Sequence, residues 1–99
     1  MTVKQKILST IGRNSQKLKA YGVRRIGLFG SFARRQQKTR SDMDFLVEFD
    51  RKQKTFDNYM DLKFFLEKQF NRKVDIVLKD SLKISVKETL DKDIIYASL

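Results

Sequence analysis

Cysteine is absent from the 99-residue chain, which excludes a disulfide framework, thiolate zinc sites and Cys nucleophiles. Histidine is absent as well, removing the commonest general base, the Ser-His triads and the usual transition-metal ligand. Any chemistry must therefore run on carboxylates, hydroxyls, Lys, Arg or a hard metal ion. Proline is missing and glycine occurs four times, so Gly12, Gly22, Gly27 and Gly30 supply the only strong punctuation. No repeat, linker or low-complexity tract divides the chain. No apolar run approaches the ~20 residues that span a membrane, and the Lys-rich N-terminus lacks the compact apolar stretch of a signal peptide. A cytoplasmic protein with no membrane partner is expected.

Acidic residues are also missing from a large part of the chain. Residues 1 to 40 carry 11 Lys and Arg and no Asp or Glu, and the first carboxylate is Asp42. From residue 56 to 99 the two signs balance at 8 each, so the net charge of +10 belongs to the first half. A positive field surrounds the place where acids first occur, although scattered lysines such as Lys4, Lys6, Lys17 and Lys19 read as a solvated surface. The 40% hydrophobic and 34% charged composition is that of a globular protein. A chain of this size buries roughly 60 to 65% of its unfolded surface, and one domain over 1–99 is expected.

The pattern reads as continuous α/β alternation. Thr2 caps a first helix carrying Val3, Ile7, Leu8, Ile11 and Leu18 at helical spacing, weakened by Gly12 and stopped at Tyr21-Gly22. Arg24 to Phe29 reads as a strand, and Phe32 to Gln37 as a short helix capped by Ser31. Asp42 to Phe49 is a second strand, with Met43, Phe45, Val47 and Phe49 alternating against Asp44, Leu46 and Glu48. A helix follows from Thr55 or Phe56 to Phe70, then a third strand over Lys73 to Lys79. Ser81 caps a helix to about Leu90, and Ile94 to Ala97 forms a last short strand. In the helix to Phe70, Tyr59, Leu62, Leu66 and Phe70 make one stripe, while Phe56, Met60 and Phe64 make another. The second stripe is either a further buried face, with Lys63 snorkelling between aromatics, or a partner surface.

The chemistry concentrates in Gly30-Ser31-Phe32-Ala33-Arg34-Arg35, in Ser41-Asp42-Met43-Asp44 and in Val74-Asp75-Ile76-Val77. Asp42 and Asp44, two apart at the start of a strand, point to one side of the sheet, and Asp75 interrupts an apolar strand. Two carboxylates ~4 Å apart repel by about 4 kcal/mol at an effective dielectric near 20, so their clustering calls for a divalent cation. Oxygen-only ligands select Mg²⁺ or Mn²⁺ over zinc. Gly30 permits a tight turn after the first strand, and Ser31 offers an amide and a hydroxyl at a helix N-terminus, a cradle for phosphate. Arg34, Arg35, Lys38 and Arg40 lie close enough in sequence to engage or steer a polyphosphate. Phosphate beside metal implies a metal-bound nucleoside triphosphate, and two bridged ions suit in-line nucleotidyl transfer. A lone Gly-Ser or Asp-x-Asp is usually only a turn; the combination, with Asp42 twelve positions after Gly30 and Asp75 on a later strand, is far more specific.

G-S-F-A-R-(x)6-S-D-M-D-F-L-V resembles the signature of the minimal nucleotidyltransferases of the DNA polymerase β superfamily, over nearly the whole chain. The resemblance implies an α/β (α+β) fold, a small mixed sheet with helices packed on one face. It places Gly30, Ser31, Arg34 and Ser41 at the nucleotide, Asp42 and Asp44 on the metals, and Asp75 as third ligand or base for the acceptor hydroxyl. Arg35 stands where the family usually has glycine. Family members of this size resemble the antitoxins of two-gene modules whose partner is a HEPN-type ribonuclease toxin. The implied reaction is Mg²⁺-dependent transfer of AMP from ATP to a toxin tyrosine. The other readings are a catalytically idle binding partner and a basic nucleic-acid-binding module, with a homo-oligomer also open.

Overall fold

The computed structural model describes residues 2–30, 32–33, 42–81 and 94–99. In chain order these form α1 (Val3–Arg13), α2 (Ser15–Ala20), β1 (Val23–Phe29), β2 (Met43–Phe49), α3 (Phe56–Phe70), β3 (Val74–Leu78) and β4 (Ile95–Tyr96). Single 3-10 turns occupy Arg51–Gln53 and Lys79–Ser81. The helices expected over Phe32 to Gln37 and from Ser81 to Leu90 fall largely outside the described residues.

Thr2 begins α1 with a reciprocal cap: its hydroxyl accepts from the Gln5 amide at 3.1 Å, and its own amide donates to Gln5 Oε1 at 2.9 Å. The single helix expected up to Tyr21 is instead two helices meeting at Asn14. There the Asn14 amide drops back to Ile11 O at 3.0 Å and its side chain donates to Thr10 O at 2.8 Å. A short amide side chain competing for backbone groups in this way is a common reason for a helix to break. The α2 helix stops at Tyr21 and Gly22, the latter at φ +90°.

The sheet order is β3-β2-β1-β4. Strands β1 and β2 are antiparallel, as are β1 and β4, while β2 and β3 are parallel with α3 as the crossover between them. Alternation along β2 sends Met43, Phe45, Val47 and Phe49 into the core, where they join Ile26 and Leu28 of β1 and Val74 of β3. Ile7, Ile11 and Leu18 of α1 and α2, with Leu62 and Leu66 of α3, cover that face. The rings of Phe45 and Phe70 stack with centroids 6.2 Å apart. Among the described residues this is a mixed sheet with its helical cover on one face, as the family resemblance implies.

The α3 helix settles the question of the second stripe. Thr55 caps it, accepting from the Asn58 amide at 3.1 Å, and Asn71 in the left-handed conformation (φ 53°) closes it. Leu62 and Leu66 are fully buried and Tyr59 and Phe70 pack on the core, whereas Phe56 is 76% and Phe64 59% exposed. Met60 and Lys63 are half-buried. One face builds the core and the other presents aromatics outward.

Candidate active site

The face of the sheet opposite α3 carries the acids. Asp44 lies between the buried Met43 and Phe45, so strand alternation turns it to this face, and Asp42 is exposed in the residue before β2. The parallel pairing of β2 with β3 sets Asp44 beside Asp75, which is exposed. Two carboxylates from different strands are thus placed side by side by backbone register alone. Among the described residues no group of three or more acids is gathered closely enough to hold an ion by itself. Asp42 and Asp75 are exposed, and Asp44 is half-buried under the turn at Gly30.

Other acids are committed elsewhere. Glu48, on the same face as Asp44, meets Arg24 at 3.9 Å and Lys79 at 3.8 Å. Asp50 accepts from the Lys52 amide at 3.0 Å, Glu67 from the Val74 amide at 3.1 Å, and Asp80 pairs with Lys54 at 3.6 Å. These contacts close turns and strand ends.

Gly30 follows β1 at φ +73°. A β-carbon there would lie 3.2 Å from Asp44 Cγ and closer still to its Oδ2, so the turn backbone rests directly against the carboxylate. Any L-residue would both strain the backbone and displace Asp44. This close approach, together with a donor set made only of oxygen, fits Mg²⁺ or Mn²⁺ held by Asp42 and Asp44 beside a phosphate on the Gly30 turn. Phe32 and Ala33, the next described residues, are buried, and Phe32 carries the Arg72 guanidinium over its ring at 5.1 Å. Ser31, Arg34 and Ser41, which the sequence also assigns to nucleotide binding, lie outside the described residues, as does Arg35.

Three further residues of this face were not singled out from the sequence. Tyr96 of β4 lies across Gly27, where a β-carbon would approach its Cδ1 to 3.0 Å, and the Arg25 guanidinium sits 3.9 Å from the Tyr96 ring centroid. Leu46, two residues beyond Asp44, is 2% exposed although it faces away from the main core. The available signal was Gly27 itself, since glycine inside a strand marks a close approach.

Comparison with known proteins bears on the family and the fold. The family model of the nucleotidyltransferase domain matches residues 8–97. The protein adenylyltransferase MntA of Thermococcus cleftensis is 33% identical over 97 residues, covering 97% of each chain. A solved candidate minimal nucleotidyltransferase superposes with a TM-score of 0.71 at 30% identity, covering 93% of this chain and 86% of that one. The same fold occurs, at a TM-score of 0.63 and 19% identity, in a structure of a tri-AMPylated Shewanella oneidensis HEPN toxin in complex with its MNT antitoxin, covering 95% of this chain and 71% of that one.

Proposed function

This chain belongs to the nucleotidyltransferase domain family, and from that membership we propose that it moves AMP from ATP onto a tyrosine of a HEPN-type toxin, silencing the toxin as its antitoxin. The observation that carries the reading is the placement of Asp44 beside Asp75 with the Gly30 turn against the Asp44 carboxylate. The acceptor and the partner are supported by the relatives: an adenylyltransferase of similar length, and a fold neighbour solved on an AMPylated HEPN toxin.

In the proposed reaction Asp42 and Asp44 would hold Mg²⁺, which when bound would neutralise charge at the phosphates and lower the pKa of a bound hydroxyl. The Gly30 turn, with Ser31, Arg34 and Ser41, receives the triphosphate. Asp75 accepts the proton of the acceptor hydroxyl. The acceptor oxygen bonds to the α-phosphorus, the bond from that phosphorus to the bridging oxygen of the β-phosphate breaks, and pyrophosphate departs with the electron pair. Asp44 and Asp75 stand on adjacent strands of a packed sheet, so their relative position is fixed before substrate arrives. The outward Phe56, Met60 and Phe64 stripe of α3 would meet the toxin, since exposed aromatics and Met are characteristic of interface cores.

The test is co-expression with a HEPN-type toxin, followed by peptide mass spectrometry of that partner. AMP on a partner tyrosine, lost with Asp44→Asn, is the expected result. A partner that is bound and inhibited yet carries no AMP would overturn the enzymatic reading in favour of inhibition by contact.

A further inference from the structure

We propose that Glu67 is a positioning residue of this site: from α3 it holds the peptide group that leads into β3, and so fixes where the Asp75 carboxylate stands for the acceptor hydroxyl. The inference rests on the nucleotidyltransferase reading above, with Asp75 as the base, and adds a residue that the sequence motif does not contain.

The peptide group between Lys73 and Val74 is gripped from two sides. Its carbonyl oxygen, on Lys73, accepts from the Met43 amide at 3.0 Å, and its N–H, on Val74, donates to Glu67 Oε2 at 3.1 Å. A trans peptide directs its C=O and N–H oppositely. The first bond therefore ties the group to β2, and the second holds it from the outer side, where β3 ends the β3-β2-β1-β4 order of the described strands. Met43 stands between Asp42 and Asp44 in the chain and pairs with Val74, while Asp44 pairs with Asp75. One doubly held peptide thus lies beside all three carboxylates without touching any of them.

The physical argument has three parts. First, Val74 is 1% exposed, so with its side chain in the core and both sides of its leading peptide engaged, the backbone entering Asp75 has little freedom to rotate. Second, a carboxylate is a strong acceptor, and a peptide that donates and accepts at once is polarised in both bonds. Third, Asn71 already ends α3 and the Met43 bond already starts the β2–β3 ladder, so what Glu67 adds is orientation. A general base must sit within hydrogen-bond reach of the proton it takes, and a misplacement of ~1 Å can cost about 100-fold in rate.

A purely structural clasp makes a different forecast, and the split between rate and binding separates the two. AMP transfer to the co-purified partner is to be measured for wild type, Glu67→Met, Glu67→Gln and Asp75→Asn, well below each melting temperature and per folded chain, with Mg²⁺-ATP affinity by calorimetry. Glu67→Met keeps the stem without the acceptor, and Glu67→Gln keeps an acceptor oxygen without the charge. The expected result is a kcat about tenfold lower in Glu67→Met, ATP affinity and partner capture unchanged, and most of the rate restored in Glu67→Gln. A Glu67→Met protein that melts lower yet transfers at the wild-type rate, one that loses ATP affinity in step with kcat, or a Glu67→Gln protein as slow as Glu67→Met would overturn the inference. Should Glu67→Met fail to fold, Glu67→Asp, one methylene short of Val74, decides by the same split. Asp75→Asn transferring at the wild-type rate would overturn the role of Asp75 as base, and a wild-type protein that transfers no AMP would overturn the nucleotidyltransferase reading itself.

Discussion

Gly30 illustrates how a single residue couples backbone to chemistry. Its positive φ and the nearness of Asp44 leave no room for a β-carbon. Gly30→Ala should cost about 1–3 kcal/mol of stability from backbone strain and reduce AMP transfer by far more than the folded fraction falls, because the Asp44 carboxylate must move. Thermal melts run beside transfer assays check this, and an active alanine variant would show that the close approach is not needed. The acids make the opposite forecast: Asp42→Asn or Asp44→Asn should abolish transfer, and Asp42→Asn, at an exposed position, should leave metal-free stability unchanged or higher as like-charge repulsion is relieved. Unfolding of either variant, as for loss of a core residue, would make these aspartates structural. At this scale much was legible. The spacing from Gly30 through Asp42 and Asp44 to Asp75 names the carboxylates, because chemistry restricts residue type. Tyr96 was not legible, since its placement depends on which strand packs beside the motif.

Elements show a similar division. Strand β2 could be read from its alternation, and α3 from its capping Thr55 and its core stripe, because period and cap are local properties. The break between α1 and α2 was missed because Asn14 and Thr10 form a backbone-directed hydrogen bond that apolar periodicity does not encode. The pairing of β2 with β3, which sets Asp44 beside Asp75, is a long-range property that no window of sequence contains. The α3 helix carries the sharpest element-level forecast. Phe64→Asp, at a position 59% exposed, should change stability by no more than about 0.5 kcal/mol and abolish capture of the partner while leaving ATP binding intact. Leu66→Ala, two residues away and fully buried, should cost about 2–5 kcal/mol and lower every activity together. Pull-downs and melts of the two variants side by side distinguish interface from core, and a Phe64→Asp protein that still captures its partner would relocate the interface.

Over the whole molecule, a first half carrying 11 cations and no acid before Asp42 would steer both ATP and an acidic partner surface toward the carboxylate edge. Steering of this kind raises association rates and weakens with salt, so the partner's on-rate should fall as NaCl rises while the assembled complex, held by aromatic burial, persists at several hundred millimolar. A complex that dissolves steeply and log-linearly with salt would instead indicate polyanion binding. Saturating ATP with Mg²⁺, at 100 times its Kd, should add about 2.7 kcal/mol and raise the melting temperature by about 10 to 20 °C. The central claim is that the Asp42, Asp44 and Asp75 edge moves AMP onto a protein. Its most direct measurement uses ATP labelled at the α-phosphate and, separately, at the γ-phosphate, incubated with Mg²⁺, this chain and its co-purified partner, with Asp44→Asn as control. Label from the α-phosphate alone, on the partner protein and absent with Asp44→Asn, is the predicted result; label on RNA, label from the γ-phosphate, or no label on any macromolecule would contradict it.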